Sequence, residues 1–177
     1  MKKSIFLGAL LVGSAMFLKS CQSVKVPSDI TVVDNFKAES FMGQWYEIAR
    51  FDFKYEKDLS NVTANYSLNN DGSVKVLNKG YNYVKKEWEE KEGKAKFVLD
   101  ETKGALKVSF FGPFYSGYNV VALDNNYETA LVFGETKDYI WILSRKKTIS
   151  EDVKKNYIEK AKQRGYDLNR LVWTEQE

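Results

Sequence analysis

Residues 43–51 read Gly43-Gln44-Trp45-Tyr46-Glu47-Ile48-Ala49-Arg50-Phe51. Aromatic and β-branched residues crowd the stretch, and a glycine stands two positions before the tryptophan. Such a composition predicts a strand, and its period of two puts Trp45, Glu47 and Phe51 on one face. A strand that carries a glutamate among aromatics needs something for both to face, and the rest of the chain supplies it.

Starting with residues 43–53, strand signals recur over 61–69, 73–83, 86–99, 103–111, 117–124, 128–134 and 139–145. Asn69-Asn70-Asp71-Gly72 and Asp124-Asn125-Asn126 between them provide the turn residues that hairpins require. The period then changes. Val153, Tyr157 and Ala161 recur every fourth residue, Gly165 is a helix stop, and Thr148 with Glu151 forms a capping box at the start. A short run, Leu171-Val172-Trp173, can add a last strand. Eight sequential antiparallel strands and one late helix predict an all-β fold, an up-and-down eight-stranded barrel with a C-terminal α-helix packed outside. The small barrel with two helices between its first two strands is excluded, because residues 53–62 are too few to hold them.

Alternation fixes which residues face inward. Ala64 and Tyr66, Val74, Val76 and Asn78, then Leu106, Val108 and Phe110 alternate with polar residues along three strands. Tyr139, Trp141, Leu143 and Arg145 share a face of the eighth. With 11 tyrosines, 11 phenylalanines and 4 tryptophans, this interior could be a packed core or the wall of a cavity. Asn78 and Glu47 fall on the inward parity, and buried polar groups need partners. The aromatic loop Phe111-Gly112-Pro113-Phe114-Tyr115-Ser116-Gly117 suits the lip of a cavity. Both features favour the cavity.

The chain opens with Lys2 and Lys3 followed by an apolar run over residues 5–18, too short to span a bilayer and suited to a secretory leader. Leu18-Lys19-Ser20-Cys21 resembles a bacterial lipobox, although Lys19 departs from its usual small or apolar residue. Cys21 is the sole cysteine, so it can form no internal disulfide, and acylation accounts for it directly. An ordinary leader cut nearby would instead leave a free thiol. The expected organisation is a lipoprotein signal peptide over 1–20, an anchored tether and entry segment over 21–40, and one domain over 41–177. Gln22 is not the aspartate that retains lipoproteins at the inner membrane. The destination is therefore the bacterial outer membrane, on its periplasmic face.

Lys2, Lys3 and Lys19 precede Cys21, so 24 of the 27 basic residues remain against 24 acidic ones. Such a balance gives no reason to expect a nucleic-acid partner. With no histidine, neither a Ser-His-Asp triad nor a histidine metal site can be built, and no cofactor is expected. Nothing in the sequence specifies or excludes a homodimer.

From about Phe41 to Trp173 the chain resembles the lipocalins, in particular the bacterial and apolipoprotein D branches. Gly43-x-Trp45 matches the first signature of that family, Leu123-Asp124 with Tyr127 resembles the second, and Trp141-Ile142-Leu143-Ser144-Arg145 the third. Asn78-Lys79-Gly80-Tyr81-Asn82 and Ser109-Phe110-Phe111-Gly112-Pro113-Phe114-Tyr115 are similar to bacterial segments. The resemblance implies that Arg145 covers the Trp45 ring at the closed end, with Gly43 letting the chain pass where a side chain would collide. It also implies that Tyr66, Asn78, Phe110, Tyr118 and Trp141 line a ligand cavity. Parity alone adds Phe51, Ala64, Val76, Val108 and Tyr139. The implied ligands are fatty acids or lysophospholipids, and the implied role is lipid transport, storage or envelope maintenance under stress. Two rivals stand beside it: a packed, ligand-free barrel acting as a scaffold for protein partners, and a lipid-modifying enzyme.

Overall fold

The computed structural model describes residues 24–177, so the leader and Cys21 lie outside the described residues. Nine strands follow in order: β1 Gly43–Phe51, β2 Leu59–Leu68, β3 Val74–Asn82, β4 Glu87–Phe97, β5 Ala105–Phe111, β6 Phe114–Leu123, β7 Thr129–Gly134, β8 Ile140–Ser144 and β9 Leu171–Trp173. Neighbours pair antiparallel from β2 through to β8. The last of these returns to β1, which also pairs with β2 and closes an eight-stranded barrel. β9 adds to the outside edge of β1, pairing Ala49 with Trp173 and Phe51 with Leu171. No helix among the described residues is long and apolar enough to cross a membrane.

Hydrophobic burial occurs on both sides of the wall. Inside, Trp45, Tyr66, Val74, Val76, Leu106 and Leu143 belong to one cluster. Outside, helix α2 (Glu151–Gln163) lays Tyr157 and Ala161 on Leu131 and Ile142. The expected helical face is thus the one that packs. Its cap differs from expectation. The helix begins at Glu151, so Thr148 lies too far out, and the Ser150 hydroxyl accepts from the Val153 N–H at 3.3 Å.

A bulge divides β1. Glu47 pairs with Leu143, but Ala49 pairs with Ile142, so Ile48 is an extra residue. Before it, Trp45 and Glu47 face in. After it, Arg50 faces in while Ala49 and Phe51 face out into the cluster under α2. Phe51 is therefore not a cavity residue. Its ring lies 5.9 Å from that of Tyr166, and the parity that placed it inside is reversed by one residue.

Within the tether and entry segment expected over 21–40, the chain is docked on the barrel from Val33 onward. Val33 exchanges backbone hydrogen bonds with Val120 and Gly104, Phe36 bonds to Thr102 and is buried, and the one-turn helix α1 (Ala38–Phe41) covers the barrel's base.

Candidate functional site

The closed end is built first by β1 and β8. The Arg145 guanidinium lies 3.9 Å from the centre of the Trp45 ring. It donates to the carbonyls of Gln44, Ser40, Phe41, Met42 and Tyr127 at 2.7–3.2 Å, while Trp45 Nε1 donates to the Phe41 carbonyl at 2.8 Å. Strand ends and helix ends leave carbonyls without partners, and one planar five-donor group satisfies them together. Gly43 is required for its backbone, with φ at +89°, and not for clearance: a Cβ there would meet Arg145 at an ordinary 3.5 Å. Asp124 closes the β6–β7 turn. Partial burial acts to raise its carboxyl, but backbone N–H groups of Thr129, Asn126 and Glu128 outweigh that and hold it below its ordinary value.

Above this floor lies a cavity of about 510 Å³. Tyr66, Asn78, Phe110, Tyr118 and Trp141 all line it, as do Ala64, Val76, Val108 and Tyr139. The Tyr66 and Tyr118 hydroxyls bond to each other at 2.9 Å, and burial raises both phenols, so both stay neutral. Trp141 stacks between Tyr118 and Tyr139 at about 6 Å centre to centre. Phe110 sits over Gly93, where a Cβ would come within 2.7 Å of the ring, so the missing side chain makes room for the aromatic. Asn78 Oδ1 is buried with no hydrogen-bond partner in the protein.

A charged group in the wall escaped the sequence reading. Arg50, 2% exposed, donates to Glu47 at 2.7 Å, to Asp52 at 3.3 Å and to the Glu56 carbonyl at 2.6 Å. Thr174 also donates to Glu47 at 2.7 Å. The Glu56 carboxylate lines the cavity and accepts from Trp141 Nε1 at 3.1 Å, but stands 4.0 Å from Arg50 Nε, itself unpartnered. One guanidinium thus serves two buried glutamates. Burial, and then the charge of Glu47, push Glu56 up to about 8 against the opposing hydrogen bond from Trp141 and charge of Arg50. Burial likewise raises Glu47, with Arg50 opposing. Parity pointed to Glu47, but the bulge hid Arg50. Glu56, Phe53 and Tyr55 lie in the aperiodic loop between β1 and β2, where no alternation exists to find them.

Chemically the site is a deep apolar cup with a few polar atoms: paired phenols halfway, an amide oxygen, and a carboxyl beside an indole. Cavities of 300–1,000 Å³ with this balance are typical of small-molecule sites.

A family model described as a lipocalin-like domain matches residues 36–176. The chain is 50% identical over 165 residues to the outer membrane lipoprotein Blc of Citrobacter freundii, covering 93% of each. It is 45% identical over 168 residues to the protein of that name from Vibrio cholerae, covering 94% of this chain and 97% of that one. Among solved structures, insecticyanin from the tobacco hornworm superposes with a TM-score of 0.67 at 21% identity, over 84% of this chain and 85% of that one.

Proposed function

The chain belongs to the lipocalin family, and from that premise we propose that its barrel binds a single-chain lipid, a fatty acid or a lysophospholipid, at the bacterial outer membrane. The observation that carries this reading is the cavity itself, about 510 Å³ walled by aromatic and aliphatic side chains and open at one end. A 16-carbon chain would release about 13 kcal/mol on burial at about 0.8 kcal/mol per CH₂. Association costs of about 4–15 kcal/mol leave room for micromolar binding. Asn78 offers its free oxygen to a hydroxyl or amide donor on the head or glycerol of the lipid, and Trp141 lies along the chain.

Relatives at 45–50% identity carry the name outer membrane lipoprotein. The same place suits this chain, held there by acylation of Cys21 after removal of residues 1–20. It acts as a binding protein in lipid carriage or storage for envelope maintenance, and not as an enzyme.

The test is a tryptophan-fluorescence titration of the chain from Gln22 onward with lysophosphatidylcholine and with palmitate, beside a Trp141→Phe variant. Saturable quenching near micromolar lipid, largely lost in the variant, is the expected result. A flat response to both lipids from a folded, delipidated sample would overturn lipid binding in favour of a packed scaffold.

A further inference from the structure

Four loops ring the mouth of the barrel: residues 52–58, 83–86, 112–113 and 135–139. Apolar side chains left in water are concentrated there. Tyr55, Tyr83, Val84, Phe111 and Phe114 are each at least half exposed, Phe114 the most at 78%. The closed end shows only Leu68 and Leu99 among its described residues. Tyr55, Phe111 and Phe114 also line the cavity, so the exposed patch is continuous with the mouth. Two lysines stand over these rings, Lys91 Nζ at 4.2 Å from Phe111 and Lys54 Nζ at 5.4 Å from Tyr55. Aromatic rings with ammonium groups beside them match the boundary where phosphates meet acyl chains.

The N-terminal chain heads the same way. Traced back from Val33, it carries Ile30 into the outer cluster with Phe51, Phe133 and Tyr166. Phe51 and Phe133 are at the mouth ends of β1 and β7, and Tyr166 packs on both. Asp29 directly precedes Ile30, and burial and then the charge of Asp29 raise the Tyr166 phenol. Close by, Arg170 pairs with Asp138 in the mouth loop at 3.0 Å. From Asp29 back to Cys21 is eight residues, at most about 28 Å of chain.

We infer that the mouth and the anchor face the same bilayer, and that the aromatic rim docks on its phospholipid surface. This rests on the proposed acylation of Cys21. Docked, a lipid passes between leaflet and cavity without bringing its chain into water, a step that otherwise costs the whole hydrophobic gain of about 0.8 kcal/mol per CH₂. The partner is phospholipid bilayer. A second copy of the chain on the same rim is the competing outcome.

The experiment uses the full, acylated chain in phosphatidylcholine vesicles, with an environment-sensitive fluorophore on one introduced cysteine. Phe114→Cys and Val84→Cys label the rim, and Leu99→Cys labels the closed end. Flotation with the vesicles tests the anchor separately from the rim. The expected result is flotation of all three, with blue-shifted emission at 114 and 84 that is quenched in proportion to acyl-brominated lipid, and no quenching at 99. Flotation without quenching at either rim position overturns the inference, as does quenching at 99 alone or equally at all three. A blue shift without vesicles that grows with protein concentration also overturns it, by assigning the rim to a second copy. Failure to float would overturn the anchorage instead.

Discussion

The two ends of the barrel treat polar groups in opposite ways. At the closed end every side-chain nitrogen of the Arg145–Trp45 pair has a carbonyl to meet, from five different residues. In the upper wall, two glutamates share one arginine, Arg50 Nε has no partner, and Asn78 holds a buried oxygen that nothing in the protein meets. A fully satisfied network fixes one conformation, whereas unmet buried atoms lower stability until something else meets them. The floor is thus arranged for stability and the upper wall for an occupant.

Substitutions can break that contrast. Trp45→Ala removes a fully buried ring from the floor and is expected to lower unfolding free energy by about 3–5 kcal/mol in urea denaturation. A loss below about 1 kcal/mol would mean that the floor carries little of the fold. Next in size is a pH effect in the upper wall. Glu56 titrates at about 8 when folded against an ordinary 4.5, so its contribution is fully present below 4.5 and is lost as pH rises to 8. Stability should therefore fall across that window, with Glu47 acting in the same direction, and Glu56→Gln should flatten the slope in thermal melts at pH 5, 6, 7 and 8. Asp124, lowered in the folded state, gives stability that is lost only at more acid pH, so it leaves the window clear.

Tyr66→Phe leaves the Tyr118 hydroxyl without its partner and should cost about 1 kcal/mol, read from the same urea curves. The smallest effect belongs to Asn78→Leu. It removes an oxygen that has no partner, so stability should hold or rise slightly, while affinity for lysophosphatidylcholine falls in the fluorescence titration. A clear loss of stability would show that Asn78 serves the fold, and would erase the contrast between the two ends.

How much could be read in advance follows the same division. Parity turned Tyr66, Asn78 and Val108 inward, the family resemblance put Tyr66, Asn78 and Trp141 beside a cavity, and all four side chains line it. Three signatures located the floor through Trp45 and Arg145. Phe51 failed because a bulge leaves no trace in a hydrophobic pattern: Ile48 and Ala49 are both apolar, and either could be the extra residue. Glu56 failed because a loop has no period, and only tertiary contact brings it back to Trp141. Residues 21–40 read as a tether and entry segment because their few apolar positions show no repeat, so the sequence did not reveal that Phe36 is deeply buried at the base. The helix was legible and its cap was not, since Thr148 and Ser150 are equally good caps until the first turn is located.

The bulge at Ile48 has a consequence of another kind. A strand normally writes one message per face, in alternate letters. β1 writes two messages in the same nine letters, and Ile48 is where the frame shifts. Before it, odd-numbered Trp45 and Glu47 face the floor and the cavity; after it, odd-numbered Ala49 and Phe51 face the outer cluster. One strand therefore serves as cup wall and as mortar for the outer layer, and the protein needs no separate element to join the two.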